Sequence, residues 1–425
     1  MRLAYANGTL WALGNGLAST TLVIYLALEL GAKGLAISLI LATPSLVGLL
    51  RLGATALIDW CGSRKKVCIA SYLAAGPVLL IMPALAAPDV MPTSRLSMGI
   101  LVTLWSLFHL LEYLGTIALW SWLGDLAPAR TRGAFLGRRE RWLLAGRIIG
   151  MLSSGLFAYY WKEHHVPHIP SEHWIGYAIP ATIGALWMMA AVWPLTKIPA
   201  LGHRTAQRGD AAWKTFLQPF GDHRFRRLLY FGCWFSLFNG MTQATQYLYV
   251  AHVLGLHVLT LHSIQTGMRL GQGAVSPSIG RLVDRIGNRP VMIVSQLLVA
   301  TGPLFFLIAS PAQPWWVVGA WTVWIAYVGL NVALPNVMLK LSPTEDNSNY
   351  LATYFAVGGL SYALGTIGGG KLYDMMTGPD AMPIGTYDEI FLAGWATRTI
   401  GVVFLLLLIE PGARNLRQLL ARRRS

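Results

Sequence analysis

The amino-acid sequence predicts an all-α integral membrane protein whose twelve transmembrane helices form two pseudo-symmetric six-helix bundles. Of its 425 residues, 55% are hydrophobic and only 12% are charged, whereas soluble proteins carry roughly 25% charged residues. Apolar windows of about 20 residues, the length that a helix needs to cross the hydrocarbon layer, recur along the chain. A segment near residue 59 also returns near residue 284, which indicates that the second half repeats the first.

The predicted helices follow from the apolar windows, because irregular backbone cannot face lipid and each window must therefore be helical. Six windows precede and six follow the basic segment 197–227. They lie at 6–30, 34–58, 67–87, 96–121, 136–161, 174–196, 228–252, 258–281, 290–310, 315–340, 349–373 and 390–410.

The loops between these helices carry the cations unevenly. Most of the 33 Lys and Arg fall in alternate loops and at the two ends of the chain. The positive-inside rule then predicts that both termini are cytoplasmic (N-in/C-in) and that the protein lies in the cell membrane. The basic loops, which give the chain a net charge of +15, are expected to lie beside anionic lipid head groups.

Several classes of site and partner are not expected. The cations form no single stripe, which argues against nucleic-acid binding. Three Cys at unrelated spacings make neither a disulfide framework nor a zinc site, and the His-rich loop KEHHVPHIPSEH is interpreted as solvated. No H-E-x-x-H, nucleophile elbow or carboxylate cluster indicates an enzyme. We expect no cofactor, no metal and a monomer.

The repeat is clearest after the second and eighth helices. DWCGSRKKVCIASYLAAGP from Asp59 aligns with DRIGNRPVMIVSQLLVATGP from Asp284. An offset of about 225 residues indicates two halves in the same orientation. The predicted organisation is an N-terminal bundle at 1–196, a basic cytoplasmic linker at 197–227, a C-terminal bundle at 228–410 and a basic tail at 411–425.

The repeated segment resembles the cytoplasmic signature of the major facilitator superfamily, a family of secondary transporters. The second copy, GRLVDRIGNR, fits that signature at Gly280, Asp284, Arg285, Gly287 and Arg289. The first copy fits it at Asp59, Gly62, Arg64 and Lys65, with Thr55 and Trp60 where the family has a Gly and a basic residue. The stretch WLGDLAPARTRGAFLGRR, which contains Asp125 and Arg132, looks like the family's loop between the fourth and fifth helices.

The resemblance covers nearly the whole chain and implies a twelve-helix transporter without an ATP site. In the family, the two halves rock to expose a central solute site to each side in turn, and the signature latches the halves together in one access state. The resemblance implies the same latch role for the signature residues named above. The alternative is a topological anchor, which would need the arginines but not an Asp and glycines at fixed spacing.

Ionisable groups inside a membrane helix are costly and therefore mark functional sites. Counting back from Asp125 places Glu112 about 20 Å and His109 about 24 Å inside the fourth helix, on one face of it. Arg147 lies in the fifth helix, the next along the chain. Glu112 and His109 are therefore predicted to couple transport to protons. A static ion pair between Glu112 and Arg147 is the alternative.

The remaining intramembrane charge is mostly positive, and it suggests an organic anion as solute. Arg147 and Arg269 are the cations predicted to bind it. In the seventh helix, FNGMTQATQYLYV carries a polar stripe, and the tenth helix adds a further amide. These neutral solute contacts are Asn239, Gln243, Gln246, Tyr247 and Asn331. The stripe could equally hold helices together through side-chain hydrogen bonds.

Three functions remain open from the sequence. The first is a secondary transporter that moves a small solute, in particular an organic anion, with proton coupling. The second is an exporter of drugs or other apolar solutes with the same fold, for which the 17 Trp, 16 Tyr and 14 Phe would suit the cargo. The third, of a different class, is a membrane sensor or partner subunit that does not transport.

Overall fold

The structure is a computed structural model, and it describes residues 2–50, 57–58, 60–88, 90–126, 132–200, 212–343, 347–377 and 387–410. Regular structure in these residues is helical apart from one isolated bridge between Ser310 and Gln313. The chain divides into two compact units. Unit 1 comprises Met1–Gln207 and His257–Ser263, and unit 2 comprises Arg208–Leu256 and Ile264–Ser425.

The helices of unit 1 follow the first six predicted windows. The first window is two helices, because the chain breaks between Leu17 and Thr20, where Ser19 caps the second of them. The unit contains α1 (Arg2–Leu17), α2 (Thr20–Glu29), α3 (Gly34–Val47), α4 (Arg64–Ala86), α5 (Ser94–Leu126), α6 (Arg132–His164), α7 (Ile175–Ala190) and α8 (Val192–Thr196).

The helices of unit 2 follow the other six windows, apart from one short helix, Ala212–Gly221, which lies in the predicted linker. Here too the first window is interrupted, at Thr242, and it ends in a π-helical turn over Tyr249–Val253. The helices are α9 (Ala212–Gly221), α10 (His223–Met241), α11 (Gln243–Leu248), α12 (Val258–Ile286), α13 (Asn288–Ala300), α14 (Gly302–Ile308), α15 (Val317–Val323), α16 (Tyr327–Leu341), α17 (Asn347–Thr377) and α18 (Tyr387–Leu406). The first turn of α12 belongs to unit 1.

The same helix pairs pack together inside each unit. In unit 1, α1 packs on α6 and α7, and α4 packs on α5 and α7. In unit 2, α10 packs on α17 and α18, and α13 packs on α16 and α18. Counted as predicted windows, the first helix of each half packs on the fifth and sixth of that half. The third packs on the fourth and sixth. The internal repeat read from the sequence therefore extends to the packing.

Glycines set the closest of these crossings in both units. In α6, a Cβ on Gly146 would lie 2.7 Å from the Thr9 carbonyl oxygen of α1. In α17, a Cβ on Gly365 or Gly369 would overlap backbone carbonyl oxygens of α10. Small residues let helix backbones approach closely in a membrane. Gly365 and Gly369, which lie in the eleventh predicted helix, are thus packing positions.

Nine helical stretches of the described residues are long and apolar enough to cross a membrane. The second, seventh and eighth predicted windows are not among them. In the second window, α3 has only 14 residues. The chain is thus a multi-pass membrane protein, and the count of twelve spans stays a prediction.

Candidate functional site

The break in the first helix of unit 1 is held by hydrogen bonds at Ser19. The Ser19 hydroxyl oxygen accepts from the N–H of Leu22, which caps α2. It also lies 3.0 Å from Nε2 of His262, whose side chain is fully buried. The other ring nitrogen of His262, Nδ1, lies 2.7 Å from the Met151 carbonyl oxygen and must donate to it. Neutral His262 is therefore satisfied at both nitrogens, with the Ser19 hydroxyl donating to Nε2.

The break in the seventh window, between α10 and α11 of unit 2, is held in a similar way by hydrogen bonds at Thr242. Nη2 of Arg398 donates to the Thr242 hydroxyl and to the Asn239 carbonyl oxygen, the latter at 3.3 Å. In an unbroken α-helix that carbonyl would accept from the N–H of Gln243. The Arg398 side chain is fully buried. At the break, the Asn239 carbonyl oxygen thus accepts a hydrogen bond from the guanidinium of Arg398, which belongs to α18.

The predicted polar stripe of the seventh helix is divided by this break. Asn239, at the end of α10, accepts a hydrogen bond from the Tyr327 hydroxyl at 2.8 Å. Gln246 is buried and donates to the Thr242 hydroxyl one turn earlier, so in this conformation it braces its own helix. The Tyr247 hydroxyl accepts from Gln265 of α12 at 3.4 Å. The prediction of one continuous helix over 228–252 is wrong, because Arg398 and Thr242 stabilise an interruption.

The other predicted solute contacts lie apart from this group. Gln243 is half-buried at the first turn of α11, and Asn331 is exposed on α16. Arg269 is half-buried in α12, and its Nε has no hydrogen-bond partner among the residues that the structure describes. The role of these three side chains as solute ligands stays a prediction.

Glu112 is the end of a hydrogen-bond chain inside unit 1. The Thr116 hydroxyl, one turn along α5, donates to Glu112 Oε1 at 2.8 Å. The Tyr72 hydroxyl of α4 lies 2.9 Å from the Thr116 hydroxyl oxygen. Because the single hydroxyl proton of Thr116 goes to Glu112, Tyr72 is the donor to Thr116. Arg147 of α6 interacts electrostatically with Glu112, and the ion pair between them stays a prediction.

His109 is not part of the Glu112 chain. Its ring packs edge-on against Trp105 at 4.4 Å between centroids, and against Phe108. Its Nε2 is buried without a hydrogen-bond partner in the described part of the chain.

Arg139, two turns before Arg147 in α6, is a buried cation that the sequence analysis missed. Its guanidinium lies over the Trp120 ring at 4.9 Å.

The second signature copy joins three helices of unit 2 through Glu410, a residue that the sequence reading also missed. Glu410 Oε2 accepts from the N–H of Arg289 at 2.8 Å, and Oε1 accepts from the side chains of Asn288 and Lys340. Arg289 in turn donates through Nε to the Leu405 carbonyl oxygen at 3.0 Å. The start of α13 and the end of α18 are thus tied together, with Lys340 of α16 beside them.

These contacts determine the charge state of Glu410. Burial alone would raise the pKa of this carboxyl. The hydrogen bonds from Lys340, Asn288 and the Arg289 N–H outweigh burial and hold the pKa of Glu410 below its ordinary value. Glu410 is therefore ionised at neutral pH, and its charge is stabilised by the N-terminal end of α13 as well as by Lys340.

The first signature copy makes a related contact in unit 1. Nζ of Lys65 donates to the carbonyl oxygens of Thr196 and Ile198, at 2.9 and 2.7 Å, just past the end of α8. Lys65 thus ties the start of α4 to the end of the sixth window, as Arg289 does for the equivalent elements of unit 2. The glycine that follows the Asp in each copy, Gly62 and Gly287, has a positive φ, of 62° and 94°. The local turn is therefore shared by both copies.

Three other residues of the second signature copy, Gly280, Asp284 and Arg285, are less engaged in this conformation. Asp284 and Arg285 are exposed at the end of α12. The acid that accepts from a helix N-terminus here is Glu410. Among the described atoms, a Cβ on Gly280 would meet nothing within 4 Å, so Gly280 mediates no close helix contact there. Asp59 and the side chains of Asp125 and Arg132 lie outside the described residues, and Arg64 is described at the start of α4.

The comparisons with known proteins agree with this architecture. The sequence profile of the Major Facilitator Superfamily matches residues 229–422. No curated protein matches the chain in sequence.

Solved structures share the fold along nearly the full length of the chain. The nucleoside transporter NupG is 17% identical, with a TM-score of 0.65 over 96% of this chain and 98% of that one. The xylose transporter XylE from E. coli, in an inward open conformation, is 16% identical, with a TM-score of 0.62 over 99% and 98%. A POT family transporter in complex with 5-aminolevulinic acid is 12% identical, with a TM-score of 0.64 over 95% of each chain.

The profile covers the second half of the chain, and the shared fold covers nearly all of it. Profile and fold together support the expected assignment, a transporter of the major facilitator superfamily and not an enzyme.

Proposed function

We propose that this protein is a secondary transporter that moves a small organic anion across the cell membrane by alternating access, coupled to protons through Glu112. The observation that carries the proposal is the pair of helix breaks at Ser19 and Thr242. Interrupted helices at corresponding positions of two repeats point to the solute and ion sites of secondary transporters. Both breaks also carry polar groups that a solid apolar bundle would not need.

The choice of an anion follows from the buried charge. Among the Arg, Lys, His, Asp and Glu side chains described within the helices, the buried ones are Arg139, Arg398 and His262. Glu112 is half-buried, and the buried Glu410 follows the end of α18. Retaining such cations in an apolar protein is expensive unless an anion occupies their surroundings at some stage of the cycle.

Proton coupling is proposed for Glu112 because its hydrogen-bond chain works in both protonation states. With the carboxylate ionised, Tyr72 donates to Thr116 and Thr116 donates to Glu112. With Glu112 protonated, the carboxyl donates to Thr116 and both hydroxyls turn over. Arg147 favours the ionised state. Movement of Arg147 relative to Glu112 would then load or release one proton.

The remaining features belong to the same proposal. We infer twelve spans with both termini cytoplasmic, because the cations of the chain cluster in alternate loops. Anionic lipid head groups are the proposed contacts of these loops, and the protein is proposed to act as a monomer. The signature residues, including Asp59, Asp125 and Arg132, are proposed to latch the cycle in one access state.

The first experiment identifies a solute and then measures its flux. Purified protein is screened by melting temperature against anionic, neutral and cationic solutes at two pH values, since a ligand of the folded state raises that temperature. Stabilising solutes are then tested for uptake into proteoliposomes with an imposed pH gradient. We expect anions to stabilise and to be accumulated in response to the gradient.

Variants separate the alternatives. Glu112→Gln should abolish accumulation driven by the pH gradient but keep exchange of solute across equal pH, whereas Glu163→Gln, an exposed acid of α6, should leave both unchanged. Stabilisation by apolar cations or neutral drugs in place of anions would favour the exporter. Solutes that bind without any flux would indicate a sensor or partner subunit.

A further inference from the structure

Arg398 is completely buried, yet only one of its three side-chain nitrogens is hydrogen-bonded. Nη2 donates to Thr242 and to the carbonyl oxygen of Asn239. Nε and Nη1, which carry three N–H groups between them, have no partner among the described residues.

The charge of Arg398 is also uncompensated. The side chains that act on it electrostatically are the phenols of Tyr327 and Tyr362, and an ordinary phenol is neutral near pH 7. No carboxylate in the described part of the chain lies within salt-bridge distance of its guanidinium. An Arg cannot escape this cost by losing its proton, because its pKa is too high. A buried charge without a partner is strongly destabilising.

The packing around Arg398 is built to hold the side chain in place. On α18, Gly394 and Gly401 lie one turn to either side of it. A Cβ on Gly394 would lie 2.5 Å from Cγ2 of Thr242, and one on Gly401 would lie 3.3 Å from Cδ1 of Trp234. Trp234 also donates from Nε1 to the Thr397 carbonyl oxygen at 2.7 Å. The close approach of α18 to α10 excludes water from Arg398 and strengthens its electrostatic interactions.

Polar groups connect this buried cation to the surface of unit 2. Asn239, Tyr327 and Tyr362 are half-buried, so the polar surroundings of Arg398 extend to side chains that are partly exposed in unit 2. The hydroxyl of Tyr327 now donates to the Asn239 side chain and can turn toward an entering anion. A ligand there would meet N–H and O–H donors and a fixed positive charge, which is the environment that selects an anion.

We propose that Arg398 anchors an anion site within unit 2, which takes one small monovalent anion: a halide ion or the carboxylate of an organic solute. The site explains why the helix break at Thr242 retains a cation that the fold does not neutralise. Its place in a transport cycle rests on the function proposed above, whereas the binding of the anion does not. Binding is therefore measured without flux.

The test uses the purified full-length protein in detergent, in sodium gluconate, with its melting temperature followed by tryptophan fluorescence. Gluconate is replaced stepwise by chloride or by formate at constant ionic strength. We expect a saturable rise in melting temperature with at least one of the two anions. A response to formate alone assigns the site to a solute carboxylate, and a response to chloride alone assigns it to a halide. No saturable response to either anion overturns the proposal.

Variants decide whether Arg398 carries the response. Arg398→Gln should raise the half-saturating anion concentration at least tenfold, and Arg224→Gln, an exposed cation at the start of α10, should leave it unchanged. If Arg398→Gln does not fold, Arg398→Lys and Tyr327→Phe take its place. The first keeps the charge and the second keeps the guanidinium, and each should weaken the response severalfold. A response that is unchanged in every folded variant overturns the assignment to Arg398.

Flux of the solute separates this proposal from the transport function. If wild-type protein binds the anion through Arg398 but moves no solute in proteoliposomes, the transport function fails and the anion site stands. If the protein transports an organic anion with full activity in Arg398→Gln, the site at Arg398 is not the site of that solute.

Discussion

Ser19 and Thr242 occupy equivalent positions of the two repeats, and each hydroxyl contacts a fully buried side chain where the first helix of its unit breaks. Ser19 lies 3.0 Å from Nε2 of His262, and Thr242 accepts from Arg398. A hydroxyl suits such a position because it both accepts and donates. The two partners differ in kind, since one is an imidazole that is neutral when both nitrogens are satisfied and the other is a permanent cation. Both repeats therefore have the helix break and a hydroxyl beside it, but the buried partner is a histidine in unit 1 and an arginine in unit 2.

Removing the hydroxyl of Thr242 should destabilise unit 2. Thr242→Val keeps the shape of the side chain but removes one of the two acceptors of Arg398 Nη2 and the acceptor of the Gln246 amide. An unsatisfied buried donor costs about 1 to 3 kcal/mol, and more when it is charged. We expect a melting temperature several degrees lower than that of wild type.

The matched control for that variant is Thr322→Val. Thr322 is an exposed threonine of α15 whose hydroxyl bonds the Val318 carbonyl oxygen of its own helix. Its loss should change the melting temperature little. Equal effects of the two substitutions would mean that Thr242 has no special role at the break.

The glycines of α17 should differ sharply although they are neighbours in sequence. A Cβ on Gly369 would overlap the Met241 carbonyl oxygen, which is backbone and cannot turn away, whereas one on Gly368 meets nothing described within 4 Å. Gly369→Ala should therefore force α17 away from α10, at a cost of about 1 to 3 kcal/mol or more. Gly368→Ala should be neutral or slightly stabilising, since alanine favours helix. Monodisperse yield and melting temperature of the two variants test the crossing directly.

Glu410 should make the stability of the protein depend on acidity. Because the pKa of Glu410 is lower in the folded protein than its ordinary value of 4.5, its contribution to stability is fully present above that value. It is lost as the pH falls through the lower folded pKa. Glu410→Gln should cost roughly 2 kcal/mol at neutral pH, the size of a hydrogen bond to a charged group. It should also flatten the decline of melting temperature below pH 5.

The control for Glu410 is Glu389→Gln at the other end of α18, where the side chain is exposed. That variant should follow the wild-type curve of melting temperature against pH. A Glu410→Gln curve that runs parallel to the wild-type curve down to pH 3 would show that another acid group carries the dependence.

The sequence predicted the architecture better than the contacts. Apolar windows and the repeat near Asp59 and Asp284 depend on local composition, and the helices follow them closely. Glu112 could also be placed by counting along one helix. Tyr72 and Thr116 could not be paired with it, because a single hydroxyl in an apolar helix carries no signal of its partner on another helix.

The positions of the helix breaks were missed for a related reason. Both lie in apolar runs without proline, so hydropathy predicts a continuous helix there. At Ser19, the signal that was available is a hydroxyl residue before an apolar stretch, which is the pattern of a helix N-cap. At Thr242, the deciding partner is Arg398, more than 150 residues further along the chain. Long-range contacts of this kind are decided by packing and not by local sequence.

The two glycines of the second signature copy should separate stability from function. Gly287 has φ 94° and ψ 167°, a backbone region that is essentially restricted to glycine, so Gly287→Ala should cost about 1 to 3 kcal/mol. Gly280→Ala meets open space in this conformation and should leave the melting temperature unchanged. If Gly280 is packed closely in another access state, as a latch requires, solute flux in proteoliposomes should nonetheless fall severalfold. Unchanged flux together with unchanged stability would remove Gly280 from the latch and leave Gly287 with a purely local role in the turn.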